Sequence, residues 1–202
     1  FPILAPYLAK ALDKRRSDNP DAPFTIITCE NYNNAANYLK KLISEQINDP
    51  GLGKWIETHV GISESMILCT SLNAAESQDK LTVRSQAFFE LPCDGEAFKG
   101  GVPDITGLKP LQKFGNQLER KIYTYNCINA VISYMGGVKG CSQLSEATAD
   151  TVIHRTALQA GRETSKALIA EYGFEPKEQE AWVASAISKF ADKAIPDPID
   201  RN

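Results

Sequence analysis

Apolar residues recur along this chain with two periods, and the place where one period gives way to the other divides it. Ile3, Leu4, Tyr7, Leu8, Ala11 and Leu12 fall at helical spacing over residues 3–16. The polar stretch from Ser17 to Pro23 ends that helix. Phe24-Thr25-Ile26-Ile27-Thr28-Cys29 is then a short β-rich run without strict alternation, as expected of a strand buried on both faces in a parallel sheet. Tyr38 to Ile43 belongs to a second amphipathic helix closed by Asp49-Pro50-Gly51, and Trp55 to Val60 reads as a further short helix. Residues 62–72 and 81–89 read as strands. In the second, Leu81, Val83, Ser85, Ala87 and Phe89 alternate with Thr82, Arg84, Gln86 and Phe88. Gly100-Gly101-Val102-Pro103, with Gly107 and Pro110 beyond, is loop chemistry.

From about Leu108 only the helical period remains. Phe114, Leu118, Ile122, Tyr125 and Ile132 line one side of a helix over residues 111–135, with Gly136-Gly137 as its stop. A long helix over 146–172 stops at Gly173, and another over 177–193 is anchored by Trp182, Ile187 and Phe190. The order predicts an α/β domain over residues 1–108 followed by an all-α, multi-helical domain over 109–202. The opening helix, loop and buried strand are half of an α/β unit, so the chain reads as entering a sheet part-way through.

Composition narrows the functions. With 43% hydrophobic residues among 202, the chain can bury a core. Its 22 basic and 25 acidic side chains leave a net charge of −3, the wrong sign for a nucleic-acid groove. Lys14-Arg15-Arg16 is the only tight basic run, and it sits at a helix end where it suits the dipole. Five cysteines, Cys29, Cys69, Cys93, Cys127 and Cys141, are an odd number with no CxxC spacing. Neither a disulfide framework nor a zinc site is expected from them, and a reduced, cytoplasmic setting fits. No apolar run approaches the roughly 18 to 20 residues that span a bilayer.

The usual catalytic signatures find no footing. His59 and His154 are the only histidines; neither stands beside a nucleophile motif, and no HExxH pair occurs, so no metal site is expected. Gly51-Leu52-Gly53 lacks a third glycine and a preceding strand, and Gly136-Gly137-Val138-Lys139-Gly140 reads as a helix-end loop. Two segments remain. Thr28-Cys29-Glu30-Asn31 lies at the carboxyl end of the buried strand, where open α/β sheets take ligands, although Asn31 reads equally as the cap of the next helix. The second is Glu119 to Asn129. At about 100° per residue, Asn129 lies some 80° round from Lys121 and Asn126 some 140°, so all three can line one broad, otherwise apolar wall. Lys121 is then either a surface lysine beside two helix amides or a desolvated base with its ammonium disfavoured.

These segments together resemble the mannitol dehydrogenase family of polyol-specific long-chain dehydrogenases, most closely its mannitol-1-phosphate 5-dehydrogenase members. The resemblance runs through the strand from Ile26 to Asn31, Trp55-Ile56-Glu57-Thr58-His59-Val60-Gly61, Phe98-Lys99-Gly100-Gly101-Val102-Pro103, Glu119 to Asn126, and Glu171-Tyr172-Gly173-Phe174. The most specific part surrounds Lys121, since the family carries a lysine, an asparagine five residues on and a histidine three further.

The resemblance implies the carboxyl-terminal part of a Rossmann-type domain followed by a helical substrate domain. It also implies hydride transfer between NAD and a sugar alcohol, its phosphate or a related sugar acid, without a metal. Lys121 matches the family's general base, and Asn126 and Asn31 match the amides that hold the developing alkoxide. Asn129 stands where the family has histidine and can bond a substrate hydroxyl; Glu30 and Asn31 fall to the cofactor. An Asp-Arg pair of the family is replaced by Leu68 and Cys69. These departures leave a second reading open, a non-catalytic homologue that binds a sugar ligand or nucleotide. The glycine fingerprint for NAD is expected upstream of Phe1, so this stretch alone is expected to bind NAD poorly. The expected partner is a small polyol or sugar phosphate, not a nucleic acid or membrane, and the expected state a monomer or homodimer.

Overall fold

Helix α1 (Ala5–Asp18) buries Ala5, Ala9 and Leu12, which the 4-then-3 spacing stacks on one side. The computed structural model describes residues 1–73, 81–86 and 90–201, and the chain divides into two units. The first comprises Phe1–Cys69 with Ala87–Phe114, the second Thr70–Gln86 with Gly115–Asn202.

In the first unit, α1 leads to strand β1 (Phe24–Thr28), then α2 (Ala35–Ser44), α3 (Pro50–His59) and strand β2 (Val60–Glu64). β1 and β2 pair in parallel, with Phe24 opposite Val60 and Thr28 opposite Glu64. The core joins Leu12, Leu39, Ile43, Leu52, Trp55, Ile56 and Val60. β1 itself is half-buried where its apolar run predicts burial on both faces, because of its side chains only Ile26 packs against that core. Asp49-Pro50, expected to close α2, instead opens α3. The Asp49 carboxylate accepts from the Gly51 N–H at 2.8 Å and proline occupies the first turn, an arrangement that starts helices. The ring of His59 stacks on Trp55 at 5.3 Å, so this histidine is a packing residue.

The expected strands over 62–72 and 81–89 shrink to β2, β3 (Ser71–Asn73) and β4 (Val83–Ser85); β3 and β4 pair antiparallel within the second unit. Residues 87–89 lie outside the described residues. Two further strands of the first unit were hidden by their prolines. β5 (Leu91–Asp94) and β6 (Leu108–Leu111) are parallel, and Gly107 and Pro110, expected as loop, flank or join them. Ser63 Oγ donates to the Asp94 carbonyl at 2.9 Å and ties β2 to β5. Gly61 permits the last close approach: a methyl there would stand 2.2 Å from the Ala97 carbonyl oxygen.

Beyond β3 and β4 the second unit is helical: α4 (Phe114–Lys121), a π turn (Ile122–Asn126), α5 (Cys127–Lys139), α6 (Leu144–Ala149), α7 (Thr151–Tyr172) and α8 (Pro176–Phe190). Its core gathers Tyr125, Ile128, Ile132, Leu144, Ala147, Ile153, Ala157, Val183, Ala186, Ile187 and Phe190. The single helix expected over 111–135 is therefore three elements. Gly136-Gly137 does not stop it; α5 runs on to Lys139 and ends at Gly140, whose φ of 76° is left-handed. The helix expected over 146–172 breaks at Asp150, which caps α7 by accepting from the Val152 and Ile153 N–H groups. Gly173 ends α7 in a left-handed conformation, as the sequence predicts. Among the described residues no helix is long and apolar enough to cross a membrane.

Candidate active site

The tripeptide Glu119-Arg120-Lys121 closes α4, and each side chain goes to a different place. Glu119 accepts a short hydrogen bond from the Tyr172 hydroxyl at the end of α7, and that carboxylate pushes the Tyr172 phenol up to about 12. Arg120 turns inward and is 4% exposed. Its guanidinium lies between the rings of Phe174 and Trp182, 4.6 and 4.5 Å from their centroids, where cation–π attraction replaces part of its lost hydration. Its Nε donates to Gln179 Oε1 at 2.7 Å, while Nη2 is buried without a hydrogen-bond partner among the described residues. Burial lowers the Arg120 pKa from its ordinary value. Tyr172-Gly173-Phe174 thus clasps α4 from both flanks of Arg120, and the left-handed Gly173 makes the chain reversal between the two rings possible.

Lys121 is also buried, at 6% exposure. Removal from water disfavours its ammonium and lowers its pKa from 10.5, and the charge of Lys189 on α8 adds to that lowering. Lys189 Nζ stands 5.9 Å from the Tyr125 ring centre, above the turn that follows Lys121. Of the two readings open for this lysine, the surface one does not describe the structure.

The π turn changes the register after Lys121. The Cys127 N–H reaches back five residues to the Ile122 carbonyl, so the i→i+5 pattern interrupts the α-helix. In an α-helix positions 121 and 126 would be about 140° apart. The π turn holds one more residue than an α turn, so this 140° does not apply across it; Lys121 precedes the turn and Asn126 is its last residue. Asn126 is exposed at its end. Asn129, one turn further along α5, is half-buried and accepts from Ser133 Oγ at 3.2 Å. One helical stretch therefore holds Lys121, Asn126 and Asn129.

Glu30 and Asn31 belong to the first unit. Thr28 is buried and donates to the Ser63 carbonyl at 3.2 Å, after which Cys29, Glu30 and Asn31 emerge exposed beyond the carboxyl end of β1. Asn31 does not cap α2. Asn34 takes that position with a left-handed φ of 57°, and the Glu64 carboxylate accepts from the Ala36 N–H at 3.2 Å. Leu68 and Cys69 are half-buried.

Two comparisons place this arrangement. A family model described as the mannitol dehydrogenase Rossmann domain matches residues 1–107, more than half of the chain. The chain belongs to the mannitol dehydrogenase family. Among solved structures, D-sorbitol dehydrogenase in substrate-free form superposes with a TM-score of 0.80 at 21% identity, covering 96% of this chain. A ternary complex of Pseudomonas fluorescens mannitol 2-dehydrogenase with NAD and D-mannitol gives a TM-score of 0.75 at 19% identity, again over 96% of this chain. This chain spans 42% of the length of each. At these identities the likeness is one of fold: parallel Rossmann-type strands followed by a multi-helical part, as the sequence predicts.

Sequence reasoning missed Arg120 and Gln179, which are buried and bonded to each other next to Lys121 in the chain and at the π turn after it. Neither carries a local signal: Arg120 stands in the charged run Glu119-Arg120-Lys121 of a polar helix, and Gln179 among the polar residues that open α8.

Proposed function

We propose that the protein is an NAD-linked oxidoreductase acting on a sugar alcohol, its phosphate or a related sugar acid, with Lys121 as general base. The observation that carries this reading is the burial of Lys121 at the start of the π turn. A base that removes an alcohol proton must be unprotonated near neutral pH, and desolvation together with Lys189 moves Lys121 in that direction. As the carbon–hydrogen bond breaks, the substrate oxygen gives its proton to Lys121 Nζ and gathers negative charge. The Asn126 amide is the donor that holds this charge, and the Asn129 amide bonds a neighbouring hydroxyl. In the first unit, Glu30 and Asn31 are exposed past a strand end, and a carboxylate with an amide there fits the hydroxyls and carboxamide of a dinucleotide. NAD would supply the hydride acceptor.

A second reading is motivated by Asn129, which cannot exchange protons as the family's histidine can, and by Leu68 and Cys69. It holds the protein to be a binding homologue without turnover. Reduction of NAD by the intact protein over polyols, polyol phosphates and sugar acids separates the two. Turnover lost in Lys121→Ala with the fold retained supports the enzyme; turnover retained in that variant defeats the assignment of the base. Binding without turnover across the whole panel favours the second reading.

A further inference from the structure

Gln179 on α8 is fully buried and uses both ends of its amide. Its Oε1 accepts from Arg120 Nε at 2.7 Å, while its Nε2 donates to Thr124 Oγ1 at 2.9 Å and to Ser165 Oγ at 3.2 Å. Ser165 Oγ in turn donates to the Gly161 carbonyl at 2.6 Å, which closes the network on α7. Arg120 is the residue before Lys121, and Thr124 is the centre of the π turn after it. One side chain therefore bonds the side chains of residues on both sides of Lys121.

We propose that Gln179 is a positioning residue for the Lys121 base, holding the π turn in register so that Lys121 stays in its dry position. The proposal rests on the reading of Lys121 given above. No other neutral side chain of this length accepts from a guanidinium at one atom and donates to two hydroxyls from another. In an α-helix an extra residue in the turn is unfavourable without outside partners, and Thr124, completely buried, has its outside partner in Gln179. Loosening this tie lets the turn relax and water reach the ammonium. On the packed element α8, the ammonium of Lys189 bears on Lys121 and disfavours a second positive charge there.

The test uses two variants of the intact protein. Gln179→Met removes both ends of the tie without adding charge; Thr124→Val severs only the π-turn end, leaving the Arg120 bond whole, and serves should the first fail to fold. The titration of Lys121 is followed by NMR of protein carrying 13C-labelled lysine, its signal assigned by its absence in Lys121→Met. NAD-linked turnover and the thermal unfolding midpoint are measured beside it. The expected result is a Lys121 midpoint displaced upward toward the ordinary lysine range, with kcat down about 10- to 100-fold and KM changed less than about twofold. A lowered unfolding midpoint with the Lys121 titration and kcat unchanged overturns the proposal, because the network then only stabilises the fold. If the parent protein turns over no polyol, the dehydrogenase reading fails, yet the Lys121 titration still decides the role of Gln179.

Discussion

Gly136 of α5 lies so close to Ala147 of α6 that a methyl at position 136 would stand 2.7 Å from the Ala147 Cβ, and 2.6 Å from Ile199 Cδ1. The Ile199 atom ends a flexible side chain and can move. The Ala147 Cβ is fixed to its helix and cannot move without it. Gly136→Ala is therefore expected to destabilise the second unit by about 1 to 3 kcal/mol, despite alanine's better helix propensity. Denaturant unfolding of Gly136→Ala, Ala147→Gly and the double variant checks this. The double variant should be more stable than the sum of the single effects predicts, and simple additivity would show that the two positions do not meet.

That contact also explains why Gly136-Gly137 misleads as a stop signal. Glycine ends helices by its conformation and joins helices by its size, and only the partner helix distinguishes the two uses. Helical periodicity located α1 and α2, the anchors Trp182, Ile187 and Phe190 located α8, and a short apolar β-rich run located β1. β5 and β6 were not legible, since four-residue strands containing Pro92 and Pro110 have no room for a pattern. The π turn was not legible either: its outside support, Gln179, lies 55 residues beyond Thr124. Lys121 was marked by its family resemblance, but its burial depends on α8, and so could not be read from the helix that carries it.

Asp150 caps α7 through the Val152 and Ile153 N–H groups and pairs with Lys139 at 2.6 Å. The Lys139 bond first, and the backbone N–H bonds next, hold its carboxyl below the ordinary 3.8. A carboxyl lowered in the fold contributes stability that is present above 3.8 and is lost as pH falls through the lower folded value. Asp150→Asn keeps a cap and removes this slope, whereas Asp150→Ala lowers the unfolding midpoint by a few degrees at neutral pH. Thermal unfolding between neutral and strongly acid pH measures both, and an unchanged acid slope in Asp150→Asn would assign it to other carboxylates.

Lys189 offers a test of the electrostatics around the base. Its ammonium disfavours a second positive charge on Lys121, although burial is the larger cause of the lowering. Lys189→Gln removes that repulsion and leaves much of the aliphatic packing on Tyr125 and Phe190. Lys121 then keeps its proton to higher pH. The acid limb of the kcat/KM profile should shift upward and the rate at neutral pH should fall, with the alkaline plateau largely restored. A profile that keeps its acid limb and loses rate equally at every pH would mean that Lys189 acts by contact with substrate instead.

The same burial that suits Lys121 to its role makes it a cost to the fold. Its proton is held less tightly in the folded chain than at the ordinary 10.5, so between the lowered value and 10.5 the unfolded chain binds more protons. Stability therefore rises with pH across that window, and below it the whole cost is present. Lys121→Met fills a similar volume with no charge to desolvate. It should abolish turnover and yet be more stable than the parent at acid pH, with the difference narrowing as pH climbs toward 10.5. Denaturant titrations at a series of pH values, run beside the activity assay, give the comparison. A variant as stable as the parent at every pH would mean that the fold bears no cost for this lysine, and that its charge is solvated in a way its 6% exposure does not suggest.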